Sequence, residues 1–426
     1  MFKRDQPLFS RPVLAAIIVV TMLAIWLLNL TAPTVDLTTP EINQWQTESG
    51  IPVTWVTQDD WQAGNKLTLT LVFQADTRQP ELTATTLNML SGPSLPLSTA
   101  TINQRLSPLA ANVATNFTQQ RQFLTLTLSN QPQFLESSFN LFDTWLNQTQ
   151  FKATALARLQ RQTTTDSAQR QLLQQFMPDV QAPPAEPLNL PQVNQYLSQL
   201  KQHVSHIVVA GAIDASVTPS LQAGLNRITQ HMTTATESPL TEWAQQPEIQ
   251  RFGEGELSAL YGAVGLAPLN SVEDWLALQV WARDMLETQK QRLASSVVQW
   301  QLQLAGIAPY ATWQIQLPPT VLQNTATETQ PDTAWVDLHT LPSWQDSDVF
   351  AQRKQQLLTR LATLSQTPEW WTQMGSRVGA PSGPLTLTQF AQDYSQIANS
   401  FTIEDYQQRI ETLLRPSSRQ EIQVSQ

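Results

Sequence analysis

His203, His206, His231 and His339 are the four histidines of the chain, and it has no cysteine. Thiol catalysis, disulfides and cysteine-ligated metal sites are therefore excluded, and any imidazole chemistry must use those four positions. His203 and His206 stand three residues apart, close enough to share a metal if an acid joined them. Two ligands do not make a site, and the nearest downstream acid, Asp214, falls at the far end of an apolar run, so a surface or helix-end role is expected for both. His231 and His339 are isolated and are read in the same way. Ser91, Ser94 and Ser98 lack the Gly-x-Ser-x-Gly setting of an activated nucleophile and read as turn formers. The run Gly253-Glu254-Gly255-Glu256 has no lysine and no strand-loop-helix order, so it reads as a solvated linker and not as a phosphate loop. The pair Trp370-Trp371 has the chemistry of a partner or membrane-interface anchor, with helix packing as the expected role.

Composition narrows the classes further. Of 426 residues only 14% are charged, and the formal net charge is −10. Nucleic-acid binding needs clustered lysine and arginine, and no such cluster exists, so nucleic acid is not an expected partner. The length suffices for two domains, or two similar halves, with real cores.

One stretch stands apart. Residues 13–30 (VLAAIIVVTMLAIWLLNL) carry no charge, and a hydrocarbon core needs about 18 to 20 such residues. Lys3, Arg4 and Arg11 precede the run with only Asp5 opposing them, which keeps the N-terminus cytoplasmic and sends the rest outward. A cleaved signal would be shorter in its apolar part, and Leu30-Thr31-Ala32 is a poor cleavage site, so a retained anchor is expected. The expected layout is a cytoplasmic tail at 1–12, a single-pass inner-membrane anchor at 13–32, a tether at 33–45 and a periplasmic body beyond.

The body alternates strands and helices. Residues 51–57 (IPVTWVT) and 66–73 (KLTLTLVF) alternate apolar and polar side chains as half-buried strands do, and the Asp59-Asp60 and Gly64-Asn65 region between them reads as a hairpin. Helices are predicted at 82–90, 99–109, 132–146, 153–176, 192–202 and 219–232, with strands at 123–128 and 206–212 and a proline-rich loop at 178–191. A second set follows: strands at 257–266, 311–317 and 335–338, and helices at 271–293, 348–364, 370–378, 387–397 and 402–414, the last stopped by Pro416. Two sets of similar length predict a duplicated α+β chain of two halves, each a mainly antiparallel sheet packed with helices, at 46–238 and 256–420, joined by a linker at 239–255 and followed by a tail at 421–426.

In their order and spacing, GIPVTWVTQDD, KLTLTLVFQAD, LTATTLNMLSG, FLTLTLSNQPQFLESSFNLFDTWLNQTQF, HIVVAGAID, SVEDWLALQVWARDML, the GIAPY turn and TIEDYQQRIETLLRP resemble the M16 peptidase family (insulinase, pitrilysin, processing peptidase) over nearly the whole exported part. Active members of that family carry His-x-x-Glu-His on the first helix, where one-turn spacing lets two imidazoles bind zinc while the glutamate activates water. The resemblance places Ala84, Leu87 and Asn88 at those three positions. Neither Ala nor Leu has a lone pair, and an amide is a poor zinc ligand. The family's third ligand, a glutamate, would fall in RLQRQTTTDSAQ, which holds only Asp166, with no role that can be assigned. No metal or other cofactor is expected.

In family members that work as pairs, the second half grips substrate through an arginine and a tyrosine. Tyr310 stands at the tyrosine position, with Pro309 disturbing the spacing and no arginine in the preceding WQLQLA. It is either a peptide contact or a strand-edge tyrosine packed on its sheet. The resemblance thus implies a non-catalytic, membrane-anchored M16-like protein that binds peptide or unfolded polypeptide, or partners an active zinc-bearing subunit. Two alternatives stay open: a stand-alone periplasmic scaffold or chaperone-like binder, and an active metallopeptidase whose ligands lie elsewhere in the sequence.

Overall fold

The computed structural model describes residues 37–426 except 60, 62–65, 93–103, 110, 163–166, 185, 235–241, 255, 294–295, 305–307, 318–334, 340, 382 and 426. The expected membrane anchor, Asp166, and Ser94 and Ser98 lie outside the described residues. Among those described, no helix is long and apolar enough to cross a membrane.

The first half of the chain runs β1 (Glu41–Gln46), β2 (Pro52–Thr57), β3 (Lys66–Phe73), α1 (Pro80–Ser91), β4 (Asn112–Phe117), β5 (Gln122–Ser129), α2 (Pro132–Asn147), α3 (Ala153–Gln162), α4 (Ser167–Phe176), α5 (Leu190–Gln202), β6 (Val204–Gly211) and α6 (Thr218–Thr229). The second runs β7 (Glu248–Phe252), β8 (Leu257–Leu266), α7 (Val272–Arg292), β9 (Val297–Gln303), β10 (Tyr310–Gln316), α8 (Pro342–Gln345), α9 (Ser347–Leu364), α10 (Pro368–Arg377), α11 (Leu387–Ser400), α12 (Ile403–Leu413) and β11 (Leu414–Ser425).

The strands form a six-stranded sheet ordered β1-β2-β6-β3-β5-β4 and a five-stranded sheet ordered β7-β11-β8-β10-β9. Leaving out β1, the two sheets have one topology. The first strand pairs parallel with the last, the last antiparallel with the second, and the remaining pairs are antiparallel. The duplication expected from the sequence is therefore present in the connectivity, as an α+β fold of two mixed sheets packed with helices. The hairpin expected between β2 and β3 is not: β6 inserts between them, because the returning apolar strand HIVVAG needs two neighbours to satisfy both edges.

Each sheet is covered on one face by a helix from the other half. Leu67, Leu69 and Leu71 of β3 point into the main core with Leu124, Leu126 and Leu128 of β5, and each fully buried leucine contributes about 1.5 to 3 kcal/mol. Alternation predicted the threonines between them on a solvated face, yet Thr68 and Thr70 are buried too. Thr70 bonds Thr125 across the ladder at 2.9 Å, and α10 lies over that face, where the Thr372 hydroxyl reaches the Thr68 carbonyl at 3.5 Å. Gly375 permits the close approach, since a β-carbon there would meet Val208 at 2.9 Å. In return, Leu172, Phe176, Met177 and Val180 of α4 and the loop after it pack on Tyr261, Ala263, Tyr310 and Ile422 of the second sheet. Residues Leu37–Gln426 accordingly form one unit.

Other expectations are corrected. The expected tether at 33–45 contains most of β1, which adds to the edge of β2 and packs Trp45 against Trp55 at 5.8 Å between ring centroids. The helix expected at 153–176 is described as two helices, α3 and α4. Residues 335–338, expected as a strand, form an irregular, bent segment in which the Leu338 carbonyl accepts a hydrogen bond from the Trp281 indole at 3.1 Å. The tail expected at 421–426 is described through 425 as the end of β11, an interior strand of its sheet, and part of the expected 239–255 linker is β7. Pro416 stops the helix but not the sheet, because it falls in the register shift between Arg415 and Gln420, where no ladder donor is required.

A further consequence concerns α6. A β-carbon on Gly224 would meet the Phe139 ring of α2 at 2.2 Å. Gly224→Val is expected to lower stability by about 2 kcal/mol, as overpacking typically does, and a urea titration of both proteins measures it.

Candidate functional site

α1 is opened by Pro80, whose missing N–H is no loss in a first turn, and carries Glu81 where the helix dipole favours an acid. Thr83, Thr86, Leu87, Met89 and Leu90 are its buried side. Ala84, Thr85 and Asn88 instead line a cavity of about 770 Å³. Of the three positions expected to replace zinc-site residues, two therefore face the cavity one turn apart, as the spacing requires. The third, Leu87, is 2% exposed within the main hydrophobic core, and a carboxylate there would be desolvated without a counter-charge.

Opposite α1 stand β9 and β10, which contribute Gln299, Gln301, Gln303, Tyr310, Thr312 and Gln314. Phe117 at the end of the edge strand β4, α4, and the proline-rich loop after it complete the wall. That loop is fastened across the start of α1 by the Gln181 N–H to the Arg78 carbonyl at 2.8 Å and by the Gln79 amide to the Gln181 amide at 2.7 Å. Glu81 is held by Arg170 of α4 at 3.0 Å.

Ala84 offers nothing to a metal, Asn88 only a weak amide, and the carboxylate of Glu81 is already paired. No group of three or more His, Cys, Asp or Glu side chains placed to hold a metal occurs among the described residues. The donor set at this cavity does not fit a zinc ion.

Tyr310 lines the cavity but is only 6% exposed. Its ring packs on Phe176 at 5.6 Å, and burial, partly offset by a backbone hydrogen bond from Gln119, pushes its hydroxyl up to about 12. The other candidates lie elsewhere. His203 caps α5 and bonds the Gln199 carbonyl at 2.8 Å, the helix-end role expected for it. His206 is not at the surface: it is fully buried on β6, because α10 covers that face of the sheet. Trp370 and Trp371 pack in the core with Phe390 and Tyr394. Ser91 is the last residue of α1, its hydroxyl reaching back to the Asn88 carbonyl at 3.5 Å, and not a turn former. What sequence reading missed is the amide wall of β9, although its signal, glutamine at every second position of VVQWQLQ, was present.

No family model matches the sequence, and no curated protein matches it. Solved structures do. The inactive domain of a peptidase M16 from Pseudomonas fluorescens aligns with a TM-score of 0.64 at 13% identity, covering 90% of this chain and 98% of that one. The periplasmic protease PqqL from Escherichia coli aligns at 0.63 and 11% identity, covering 92% of this chain but 46% of its own. A mutant of the ferredoxin protease FusC, in complex with Arabidopsis ferredoxin, aligns at 0.62 and 15% identity over 92% of this chain and 47% of its own. The chain thus spans about half the length of those two proteases and nearly all of the inactive domain. It has the M16 peptidase fold, with alanine, leucine and asparagine on its first helix where the zinc-binding motif of active enzymes is expected.

Proposed function

We propose that this chain is a non-catalytic M16-like protein that holds an extended polypeptide in the cavity beneath α1, and that it serves as the binding partner of a separate, zinc-bearing peptidase. One observation carries the reading: the cavity is kept, while Ala84 and Asn88 face it and Leu87 is given over to the core. β4, at the edge of its sheet beside α1, offers unpaired backbone groups to an added strand. A match to an inactive domain, and the coverage of half of PqqL and FusC, fit a subunit that works beside a second body of similar size. FusC, whose structure holds ferredoxin, is an example of this fold engaging a protein. The uncharged run at 13–30 would anchor the body to the inner membrane on its periplasmic side. A stand-alone scaffold is the second reading, favoured by a cavity built entirely from this chain.

The purified chain is expected to bind an unfolded polypeptide without cleaving it, to contain far less than one zinc per molecule, and to alter the activity of a co-expressed M16 peptidase. Fluorescence anisotropy, metal analysis and a peptidase assay read the three outcomes. Stoichiometric zinc together with cleavage that chelation abolishes would overturn the proposal, and binding with no effect on any M16 peptidase would favour the lone scaffold.

A further inference from the structure

The wall opposite α1 has a chemistry of its own. β9 places Gln299, Gln301 and Gln303 at alternate positions on one face, and their ladder partners on β10 are Gln314, Thr312 and Tyr310. All six line the cavity. Gln299 and Gln301 are exposed, and the contact between the Gln303 and Gln301 amides is long at 3.4 Å, so the ladder is weakly tied to itself. Facing it are Thr85 and Asn88 of α1 and the Thr118-Gln119 turn. Gln119 is 8% exposed, and its amide oxygen has no hydrogen-bond partner. Left without a partner, such an oxygen costs about 1 to 3 kcal/mol.

Charge is scarce on this wall. Among the described lining residues, Glu81 and Arg170 neutralise one another and Glu186 is the remaining acid. A lysine or glutamate side chain brought against the β9–β10 face would lose hydration and meet only neutral dipoles. Amide and hydroxyl side chains would exchange water for partners of equal capacity, since each glutamine both donates and accepts. The spacing also suits a strand: alternate residues recur about every 6.6 Å along β9, the repeat of one face of an extended chain.

We infer that the polypeptide held in this cavity is an extended segment of uncharged, amide- and hydroxyl-bearing residues, selected by the glutamine ladder of β9 and β10. The inference rests on the reading of the cavity as a polypeptide site and adds the class of sequence that enters it. The glutamines set the preference by offering neutral partners, and the lack of a counter-ion on the β9–β10 face sets the penalty.

The test uses the purified full chain and three labelled decapeptides of one length: a glutamine/asparagine/threonine sequence, the same with two central lysines, and the same with two central glutamates. The neutral peptide is expected to bind at least about tenfold more tightly than either charged one, equivalent to 1.4 kcal/mol. In the variant Gln299→Glu with Gln301→Glu, both exposed positions, the lysine peptide is expected to overtake the neutral one while the thermal midpoint stays unchanged. Equal affinity of all three peptides, or an unaltered order in the variant, would overturn the inference while leaving the polypeptide-binding reading intact. Failure of every peptide to bind would overturn both, as would capture of β9 by a second copy of the chain, seen as a dimer that excludes the peptides.

Discussion

Trp371→Ala is expected to cost about 4 kcal/mol and to unfold both sheets in one step. The indole is fully buried and donates to the Ser365 carbonyl at 2.8 Å. Its ring meets Trp370 at 4.7 Å and Tyr394 at 5.5 Å, so alanine would leave a cavity and remove one of the carbonyl's two donors, and large-to-small changes of this kind cost about 3 to 5 kcal/mol. Location makes the loss more than local. α10 belongs to the second half of the chain but covers β3 and β6 of the first, and the neighbouring loop is tied there by the Gln58 amide to the Ser365 carbonyl at 3.1 Å and the Trp61 indole to the Gln366 carbonyl at 2.7 Å. Urea unfolding followed by far-ultraviolet circular dichroism and by tryptophan fluorescence should give coincident transitions, both displaced to lower urea. Trp45→Ala on the edge strand β1, where the ring is part-exposed, should move the midpoint far less. Two separated transitions, with one unshifted by Trp371→Ala, would show instead that the halves fold independently.

The reciprocal cover also explains which parts of the fold could be read from the chain. Alternation in KLTLTLVF and FLTLTL located β3 and β5, and the internal repeat of elements was visible because each half must bury its own leucine face. Alternation cannot say what lies over the other face. The threonines of β3 are buried because α10 arrives from some 300 positions later, and nothing local encodes that. β11 was missed for a related reason: RQEIQV looks like a solvated tail. Two of its buried polar groups have partners distant in sequence, Glu421 accepting from the Trp335 N–H at 3.0 Å and the Gln420 amide reaching the Gln246 carbonyl at 2.8 Å, while Arg419 pairs with Glu421 locally at 2.7 Å. At the cavity α1 was legible as a helix, and its substituted positions came from the resemblance to the M16 family. Of the opposing wall, β10 and Tyr310 were located, but β9 was not recognised as a strand, and a glutamine ladder has meaning only when its facing surface is known.

Acid should weaken the same joint through His206. The imidazole is fully buried, with Nε2 donating to the Gly375 carbonyl of α10 at 3.1 Å and Nδ1 accepting from the Ser205 hydroxyl at 2.9 Å, an arrangement that suits the neutral ring. Burial first, and then the charge of Arg121, pull its pKa down from 6.5 to about 3. Arg121 is itself buried beside the end of α10, where its guanidinium reaches the Ser376 carbonyl at 3.4 Å, and burial lowers it only to about 10, so it stays charged at neutral pH. Between about pH 6.5 and 3 the unfolded chain therefore binds a proton at position 206 that the folded chain refuses. Stability contributed by the neutral ring is fully present above pH 6.5 and falls as the pH drops through that window, by on the order of 4 kcal/mol if the whole shift is expressed. Carboxylates also titrate there, so the informative quantity is a difference. His206→Gln keeps an N–H for the Gly375 carbonyl and removes the titration. It should be less stable than the parent at pH 7.5 by about 1 kcal/mol, the usual worth of one hydrogen bond, and more stable than the parent at pH 4. Urea midpoints measured for both proteins across that range decide the matter. Parallel curves with no crossing would mean that the ring is not held neutral by its surroundings, and that the contact of α10 with β6 is not the acid-sensitive joint of the molecule.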